Sequence, residues 1–552
     1  MKDRRFLRTL LSFFLLGCVA VTAWAKDEDR VYHFARVDLD GAYRFVGRYP
    51  IADESWQKKD CWAVTVNPLG DVVQVAYYRR GLCSPDPETG VARIKVTEEG
   101  DFEVRTNENP HGLVIEDHDG IAVRRLKKNA QGFFVGLFQY DREGNLKDDA
   151  AGISAYLWVP DDQGRRIRSV RLSKSGDRTA DKMGVWEMLF SYDAQGNRVK
   201  AEQLGQDGQP FATPTGIVSY VWTYDQAGNP VSETRLDKQG NPIGDWYGIA
   251  RWTMRWDDQG RVLERAFFDA DGRPIPDRTG VARYVWEYND ALHWTRVWRY
   301  GVDGQLTLDD QGAAMVKTLW YDQSNEREQR IYGLEINPYY AALTPIQKAN
   351  EDRYELKNDI HGIAVRRWTY DKNGNVTEFK TFDQNLNPVA DEHGVMVTKR
   401  RYNSLGEITE ESYFSGSYQP VLNDQGLASV RWTYDSAGQV AQKMNFGLDG
   451  QLKDDPSGVA VYSWTYDERG MRVKQTNLGT LSQVKDDSNG VAIYKWSYDK
   501  FGNLLEESHF GIDGRPTTDV SGVFIYKYQP VTGGGLKVVQ SYDLSGQPVG
   551  SH

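Results

Sequence analysis

The chain has 552 residues, and its 78 acidic and 67 basic side chains give a formal net charge of −11 at pH 7. Nucleic acids and anionic lipid headgroups repel an acidic surface, so we expect neither as a partner. The longest apolar run is too short to span a bilayer comfortably, and no transmembrane segment is predicted.

The first 25 residues predict a secretory signal peptide. Basic side chains precede an apolar run from Leu10 to Val21, and Ala23-Trp24-Ala25 follows as a small-residue cleavage site. The alternative is a lipoprotein signal, because Leu15-Leu16-Gly17-Cys18 resembles a bacterial lipobox that would make Cys18 a lipid anchor. Cleavage after Ala25 leaves a net charge of −14. We therefore expect export across the inner membrane to the periplasm or cell surface, as a soluble protein or a lipoprotein.

Cleavage after Ala25 would leave two cysteines, Cys61 and Cys83, which are 22 residues apart. A single even pair in an oxidising compartment predicts one disulfide bond, which would fasten the N-terminal part of the chain. A reactive thiol or a metal-binding pair is the alternative.

A glycine usually followed by Val or Ile and then Ala recurs thirteen times, in two runs with a constant spacing of 32 residues. We call these residues the opening glycines. They are Gly120, Gly152, Gly184, Gly216, Gly248, Gly280 and Gly312, then Gly362, Gly394, Gly426, Gly458, Gly490 and Gly522. A constant period of this length indicates one supersecondary unit that is copied and stacked.

Each unit predicts a β-hairpin. Counted from the opening glycine, bulky residues stand at +2, +4, +6 and +8, and those at +4, +6 and +8 are frequently Tyr, Trp and Tyr. This period of two indicates a strand with one buried face. Asp at +9 and Gly at +12 predict a tight turn with a bulge, and a more polar return strand follows from about +14 to +21. A further turn near +24 and an Asp at +29 lead into the next opening glycine.

These units predict an all-β fold of tandem 32-residue β-hairpin repeats, coiled into an extended spiral or shell-like sheet. One hairpin buries too little surface to offset its ordering entropy, so each repeat requires its neighbours, with ladders of Trp at +6 and Tyr at +8 between them. The predicted organisation is a signal peptide (1–25), an N-terminal cap with a degenerate repeat (26–89), a first array (90–337), an insertion (338–361) and a second array (362–552).

The Tyr-Asp-x-x-Gly-Asn sequence occurs at Tyr192–Asn197, Tyr224–Asn229, Tyr370–Asn375 and Tyr498–Asn503. It resembles the YD repeat of RHS-type proteins. That resemblance implies a spiralling shell of β-hairpins in a secreted or surface-exposed protein. Some members of the family enclose a toxin domain, and others mediate adhesion.

The pattern breaks between residues 289 and 361, where the hairpin turns lose their glycine and 18 extra residues follow Pro338. Thr344-Pro345 followed by Ile346–Leu356 predicts a short helix in the insertion. A bend between two sub-arrays is one interpretation, and a ligand or partner site is the other. The candidate binding residues are His293, Trp294, Trp298, Tyr339, Tyr340 and His361.

Other chemical signals are weak. Asp269–Gly272 and Asp38–Gly41 are similar to the start of a calcium loop, but the later ligands are absent. His361 and His393 occupy the same position in adjacent repeats, yet no third ligand is predictable, so no metal is assigned. We find no nucleophile elbow, phosphate-binding loop or isolated carboxylate pair, and we predict no cofactor and no catalytic residue.

The sequence therefore predicts a secreted, non-enzymatic repeat scaffold that binds a protein or a component of the bacterial envelope. A glycan- or peptidoglycan-binding module is the first alternative, and it would depend on Trp residues outside the repeat pattern: Trp246, Trp252, Trp294 and Trp298. An envelope hydrolase with its site in the irregular segment 289–361 is the second.

Overall fold

The structure is a computed structural model, and it describes residues 28–51, 54–321, 325–344, 352–499, 504–530 and 536–549. Within these ranges the chain is all-β, with 34 strands and two short 3-10 helices, Glu54–Lys58 and Tyr340–Ala342. The predicted signal peptide and Cys18 lie outside the described residues. In the described part of the chain, no helix has the length and apolar content to cross a membrane.

The chain divides into two compact units. The first covers residues up to 214 and 218–228, and the second covers 215–217 and the residues from 229 onwards. The strands of the first unit are β1 (Arg30–Leu39), β2 (Phe45–Ile51), β3 (Asp60–Val66), β4 (Val72–Arg79), β5 (Leu82–Cys83), β6 (Arg93–Glu99), β7 (Phe102–Glu108), β8 (Val123–Lys128), β9 (Phe134–Tyr140), β10 (Ala155–Pro160), β11 (Arg166–Leu172), β12 (Glu187–Tyr192), β13 (Arg198–Leu204) and β14 (Ser219–Tyr224).

The second unit contains the remaining strands. They are β15 (Pro230–Leu236), β16 (Arg251–Trp256), β17 (Val262–Phe268), β18 (Arg283–Asn289), β19 (Trp294–Tyr300), β20 (Met315–Trp320), β21 (Glu326–Ile336), β22 (Tyr354–Leu356), β23 (Val365–Tyr370), β24 (Val376–Phe382), β25 (Val397–Tyr402), β26 (Ile408–Phe414), β27 (Ser429–Tyr434), β28 (Val440–Phe446), β29 (Val461–Tyr466), β30 (Arg472–Leu478), β31 (Ile493–Tyr498), β32 (Leu504–Phe510), β33 (Ile525–Pro530) and β34 (Leu536–Tyr542).

Strand pairing is antiparallel in both units. In the first unit, β7 to β13 each pair with the preceding and the following strand. At its start, β1 pairs with β2 and β3, and β4 pairs with β5 and β6. In the second unit consecutive strands pair in the same way, except that β21 pairs with both β22 and β23.

Each regular repeat is one β-hairpin, as the repeat at Gly426 illustrates. Strands β27 and β28 pair along their length, and the register shifts between Thr433 and Tyr434, which marks a β-bulge. Gly438 donates its backbone N–H to the Asp435 carbonyl at 3.1 Å and has a φ of 76°. Glycine adopts this left-handed conformation without strain. The predicted hairpin turn with a bulge is confirmed.

Each regular repeat contains three similar turns, most of which an Asp or Asn side chain closes. We call them the hairpin turn (+9 to +12), the return turn (+21 to +24) and the opening turn, which ends at the opening glycine. In the opening turn before Gly490, the Asp487 carboxylate accepts the backbone N–H of Asn489 at 2.9 Å and of Val491 at 3.2 Å. Such bonds satisfy amides that the strand ladders leave unpaired.

A tyrosine hydroxyl links each repeat to the one before it. Strands β28 and β29 pair over only three residues, so backbone groups beyond this short ladder need other partners. The Tyr466 hydroxyl donates to the Val440 carbonyl at 2.8 Å. The same bond, between residues 26 apart, is made by Tyr192, Tyr224, Tyr288, Tyr402, Tyr434 and Tyr498.

In most repeats the two residues after the opening glycine are buried. Ile121, Ala122, Val459 and Ala460 are each 0% exposed. Trp464, at +6 of its repeat, is only half-buried and lies opposite Gln475. The Trp464 indole N–H donates to the Gln475 amide oxygen at 2.7 Å. Trp368, at the same position, lies opposite Phe379 instead, so the cross-strand partner of the +6 Trp differs between repeats.

In several repeats a buried polar side chain at +19 joins the return strand to the following opening turn. Asn445 and Asn477 are fully buried, and their amides donate to the carbonyls of Val459 and Val491 at 3.1 and 3.0 Å. His509 occupies the same position, with Nδ1 3.0 Å from the Val523 carbonyl. The repeat pattern did not predict these side chains.

The predicted disulfide bond between Cys61 and Cys83 is not present, and both cysteines are free. Both residues lie opposite Tyr78, Cys61 on β3 and Cys83 on β5, so strand β4 separates them. Two strand spacings amount to about 9.6 Å, whereas bridged Cα atoms lie within about 7 Å. Burial, followed by the nearby Asp60 charge, raises the pKa of Cys61 to about 11, which disfavours a reactive thiolate.

Candidate functional site

The irregular segment begins at the hairpin of β18 and β19. The two strands pair without the register shift of the regular repeats. His293 has a φ of 52°, the left-handed conformation that glycine adopts in the regular turns, and its carbonyl accepts the Trp320 N–H at 2.8 Å. The exposed His293 side chain therefore belongs to a turn that differs from the others in backbone and in sequence.

Strand β19 places Trp294, Arg296 and Trp298 on one face of the sheet. The Arg296 guanidinium lies 4.1 Å from the centre of the Trp294 ring, a cation–π contact. The Trp298 ring packs edge-on against Tyr354, with centroids 5.8 Å apart. The sequence predicted two of these residues, Trp294 and Trp298, as site residues, and the structure brings Trp298 against the insertion.

A buried carboxylate lies at the centre of this face. Asp352 accepts hydrogen bonds from Arg296 at 2.6 Å, Lys317 at 2.9 Å and the Tyr332 hydroxyl at 2.6 Å. The Asp352 and Lys317 side chains are 4% and 3% exposed. Burial alone would raise the pKa of Asp352, but Lys317, Tyr332 and Arg296 outweigh it and hold the pKa below its ordinary value. We call these four residues the Asp352 cluster.

The insertion reaches this cluster as a strand. Tyr354–Leu356 pairs with β21, opposite Ile336 and Tyr332, and the Asn337 N–H donates to the Arg353 carbonyl at 2.8 Å. The predicted helix Ile346–Leu356 is therefore wrong at its C-terminal end, and residues 345–351 lie outside the described residues. The open backbone edge of the long strand β21 outweighs the helical propensity of this short segment.

The other predicted site residues lie elsewhere. Tyr339 is 77% exposed, next to the short 3-10 helix that begins at Tyr340. His361 lies in an opening turn, where its backbone N–H donates to the Asp359 carboxylate at 2.9 Å. His293, Tyr339 and His361 contribute no side chain to the Asp352 cluster. The sequence placed all six residues in one segment, but separation along the chain did not indicate which of them share a sheet face.

The histidine pair considered as a metal site is not joined by further ligands. The His393 Nδ1 atom lies 3.4 Å from the Asp424 carboxylate of the next repeat. Among the described residues, no three His, Cys, Asp or Glu side chains form a group that could hold a metal ion.

A cavity of about 300 Å³ lies on the sheet face beside β21, β23 and β24. Its lining includes Tyr321, Arg327, Glu328, Arg367, Glu378 and Lys380. Arg367 is paired with Glu328, and Lys380 contacts Glu378 at 2.7 Å. The repeat pattern did not predict this cavity, although Arg at +5 and Glu at +16 alternate with the aromatic residues on these strands.

Comparisons with known proteins give a likeness of fold at low identity. No family model and no curated protein matches the chain. A Tc holotoxin pore structure from Photorhabdus luminescens matches at 12% identity with a TM-score of 0.30, over 91% of this chain and 25% of that chain. The complex TcdB2-TccC3 without its hypervariable C-terminal region matches at 12% identity and a TM-score of 0.30, over 94% and 26%.

A porin-like protein from Bacteroides uniformis also matches, at 11% identity and a TM-score of 0.15, over 57% of this chain and 91% of that chain. The chain spans about a quarter of the length of the two toxin chains. The likeness concerns the fold alone.

Proposed function

We propose that this protein is an exported, non-enzymatic repeat scaffold of the YD-repeat (RHS-like) type, which binds a protein or another component of the bacterial envelope. The structural role of the motif supports the YD-repeat assignment. In Tyr192–Asn197, the tyrosine hydroxyl bonds the Arg166 carbonyl of the preceding repeat, and the Asp193 carboxylate accepts both the backbone N–H and the side-chain amide of Asn197. The motif residues thus have structural partners.

One observation carries the binding proposal. In the second array, a basic residue at +5 lies over the aromatic residue at +20 of the same hairpin in repeat after repeat. The pairs are Arg367 with Phe382, Lys399 with Phe414, Arg431 with Phe446, Lys495 with Phe510 and Lys527 with Tyr542, at 4.1–5.5 Å. Equivalent cationic groups at a constant spacing suit multivalent contact with an extended partner.

The contacts of the Asp352 cluster suit a structural role. Its carboxylate already accepts bonds from three donors, and burial keeps water away from it. A general acid or base must instead reach a substrate proton. The cluster is suited to holding the insertion strand against the sheet.

The alternative of an envelope hydrolase is tested by a hydrolase substrate screen of the native chain and of His293→Ala. Equal activity in the two proteins rules out a catalytic site in the irregular segment 289–361.

The test of the scaffold proposal is affinity capture from an envelope extract. We expect the immobilised chain to retain a specific component, and Arg431→Glu with Lys495→Glu to abolish that retention. The matched control is Arg515→Glu, because its side chain is 86% exposed in a return turn and lies outside the row of pairs. Retention that is equal in all three proteins contradicts the proposed surface.

A glycan-binding role is the second candidate, and one opening turn favours it. Trp246 and Tyr247 are adjacent there and are 70% and 58% exposed. Aromatic faces of this kind stack on sugar rings. Trp252, Trp294 and Trp298 are instead half-buried in strands. The native chain should sediment with purified peptidoglycan, and the double variant Trp246→Ala with Tyr247→Ala should not. The control Tyr339→Ala should still sediment. Sedimentation of the double variant contradicts the glycan-binding role.

A further inference from the structure

Large apolar side chains are exposed in the return turns of the second array. Leu386, Leu448, Leu481, Ile512 and Leu544 occupy these turns in five of the six repeats and are 49–86% exposed. We call these residues the turn row. In the sixth repeat, Tyr418 turns back towards the sheet, and its hydroxyl donates to Glu378 at 3.1 Å.

The corresponding turns of most preceding repeats carry polar or small residues. Lys174, Gln206, Lys238 and Ala270 stand at +22, where the second array has Leu448, Ile512 and Leu544. The exception is Val302, which occupies +22 of the repeat at Gly280 and is 56% exposed. Single exposed apolar residues on a protein surface are common and need no explanation. Five such residues in the six return turns of the second array, at +22 to +24, are a different pattern.

The backbone of one turn supports a specific role for the row. Leu386 has a φ of 63° at the place where Gly450, Gly514 and Gly546 stand in other repeats. An L-residue in the left-handed region is strained, and a leucine side chain cannot offset this strain with a hydrogen bond of its own. Tyr418 and Ser482 have the same conformation at +24 of their repeats. The repeat therefore carries an exposed leucine where glycine would stabilise the fold better.

The spacing of the row indicates the kind of partner. Equivalent turns in neighbouring repeats are two strands apart, which is about 10 Å. The apolar side chains of the turn row, which we call the tips, are therefore separated by polar atoms of the turns. Separate tips do not make the continuous apolar core of a protein interface. Each tip can, however, enter the interfacial layer of a bilayer independently.

The charges beside the row favour a neutral lipid surface. Residues next to the tips are uncharged or acidic, such as Asn385, Asp449, Ser482 and Asp513. Basic clusters, which attract anionic headgroups, do not flank the tips. From the exposure, the strain and these charges, we infer that the turn row binds the surface of a zwitterionic lipid bilayer by inserting its apolar side chains.

The test is flotation of the full chain with phosphatidylcholine vesicles. We expect binding that persists in high salt and does not increase when anionic phosphatidylglycerol is added. Leu448→Ser, Leu481→Ser and Ile512→Ser together should lower the partition coefficient at least tenfold, because each removes an inserting side chain. The matched control is Leu69→Ser with Leu405→Ser, which changes two exposed leucines in turns outside the row and should bind like the native chain.

Three results of the flotation experiment overturn the inference. The first is a native chain that does not float with these vesicles. The second is equal flotation of the native chain and the triple variant, and the third is binding that requires anionic lipid and disappears in salt. If the native chain instead forms a dimer that the triple variant does not, the row is a contact between copies, and the inference is also wrong. The inference rests on the proposed export. The affinity capture that tests the scaffold proposal uses no lipid vesicles, so a failure of capture and a failure of flotation are distinguishable.

Discussion

The Tyr466 hydroxyl and the Val440 carbonyl lie 2.8 Å apart across the boundary between two repeats. Their strands pair over only three residues, so this bond satisfies a carbonyl just beyond the backbone ladder. The same hydrogen bond joins residues 26 apart in other repeats. It is therefore a recurring contact between a hairpin and the preceding hairpin.

Removal of this hydroxyl should weaken the array. We expect Tyr466→Phe to lower the free energy of unfolding by about 1 kcal/mol, because the Val440 carbonyl loses its partner. Urea denaturation followed by circular dichroism measures the change. Tyr247→Phe, in an exposed turn, is the control and should change stability by less than about 0.5 kcal/mol. Equal effects of the two substitutions would mean that the inter-repeat bond contributes nothing.

The opening-turn aspartates should matter more than those of the return turns. Asp487 accepts two backbone amides, the Tyr494 hydroxyl at 2.7 Å and the buried Asn477 amide at 3.3 Å. We expect Asp487→Ala to cost about 3 kcal/mol, and Asp513→Ala, in an exposed return turn, about 1 kcal/mol. Denaturant midpoints compare the two, and the account is contradicted if Asp513→Ala is the more damaging.

The Asp352 cluster should hold the insertion in place. Asp352→Asn removes the negative charge that faces the buried cations of Lys317 and Arg296, which should cost about 3 kcal/mol. Hydrogen exchange at Tyr354–Leu356 should accelerate, because the strand loses its attachment. Asp271→Asn is the control: its pair with Arg273 is exposed and should be worth less than about 0.5 kcal/mol. Unchanged exchange in Asp352→Asn would show that the cluster does not anchor the strand.

His509 should make stability depend on pH. Burial opposes its charged form, but hydrogen bonds to Glu507 and to the Val523 carbonyl outweigh this and raise the pKa above its ordinary value. A raised histidine pKa stabilises the fold below the unfolded-state pKa, and this stabilisation is lost as pH rises through the folded-state pKa. We therefore expect denaturant midpoints to fall as the pH rises above about 6.5, the ordinary histidine pKa.

The chain supplies the matched substitution for this test. Asn445 and Asn477 occupy the position of His509 in other repeats and make the equivalent carbonyl bond. His509→Asn should keep that bond and remove the part of the pH dependence that the imidazole contributes. A pH profile identical to that of the native chain would show that His509 does not titrate as expected.

Local sequence signals predicted the repeating hairpins well. Asp435 and Gly438 specify the turn by their own backbone and side-chain chemistry, so the sequence alone was sufficient there. The position of the core was not predictable in the same way. Val459 and Ala460 are fully buried where neighbouring strands meet, whereas Trp464 lies opposite Gln475, and only the pairing register between strands shows this.

The candidate site required long-range information. Trp294 and Trp298 were found because they break the repeat pattern. Lys317, Tyr332 and Asp352 were missed, because each lies in a different segment and only strand pairing brings them together. Cys61 and Cys83 illustrate the same limit: an even count predicted a bridge, but strand β4 separates them.

The central claim is that each hairpin is stable only through contact with its neighbours. The most direct measurement compares a one-repeat fragment, residues 458–489, with a three-repeat fragment, residues 426–521, by circular dichroism and urea denaturation. The account predicts that the single repeat is unfolded in water and that the three-repeat fragment unfolds cooperatively. A single repeat that folds cooperatively on its own would contradict it.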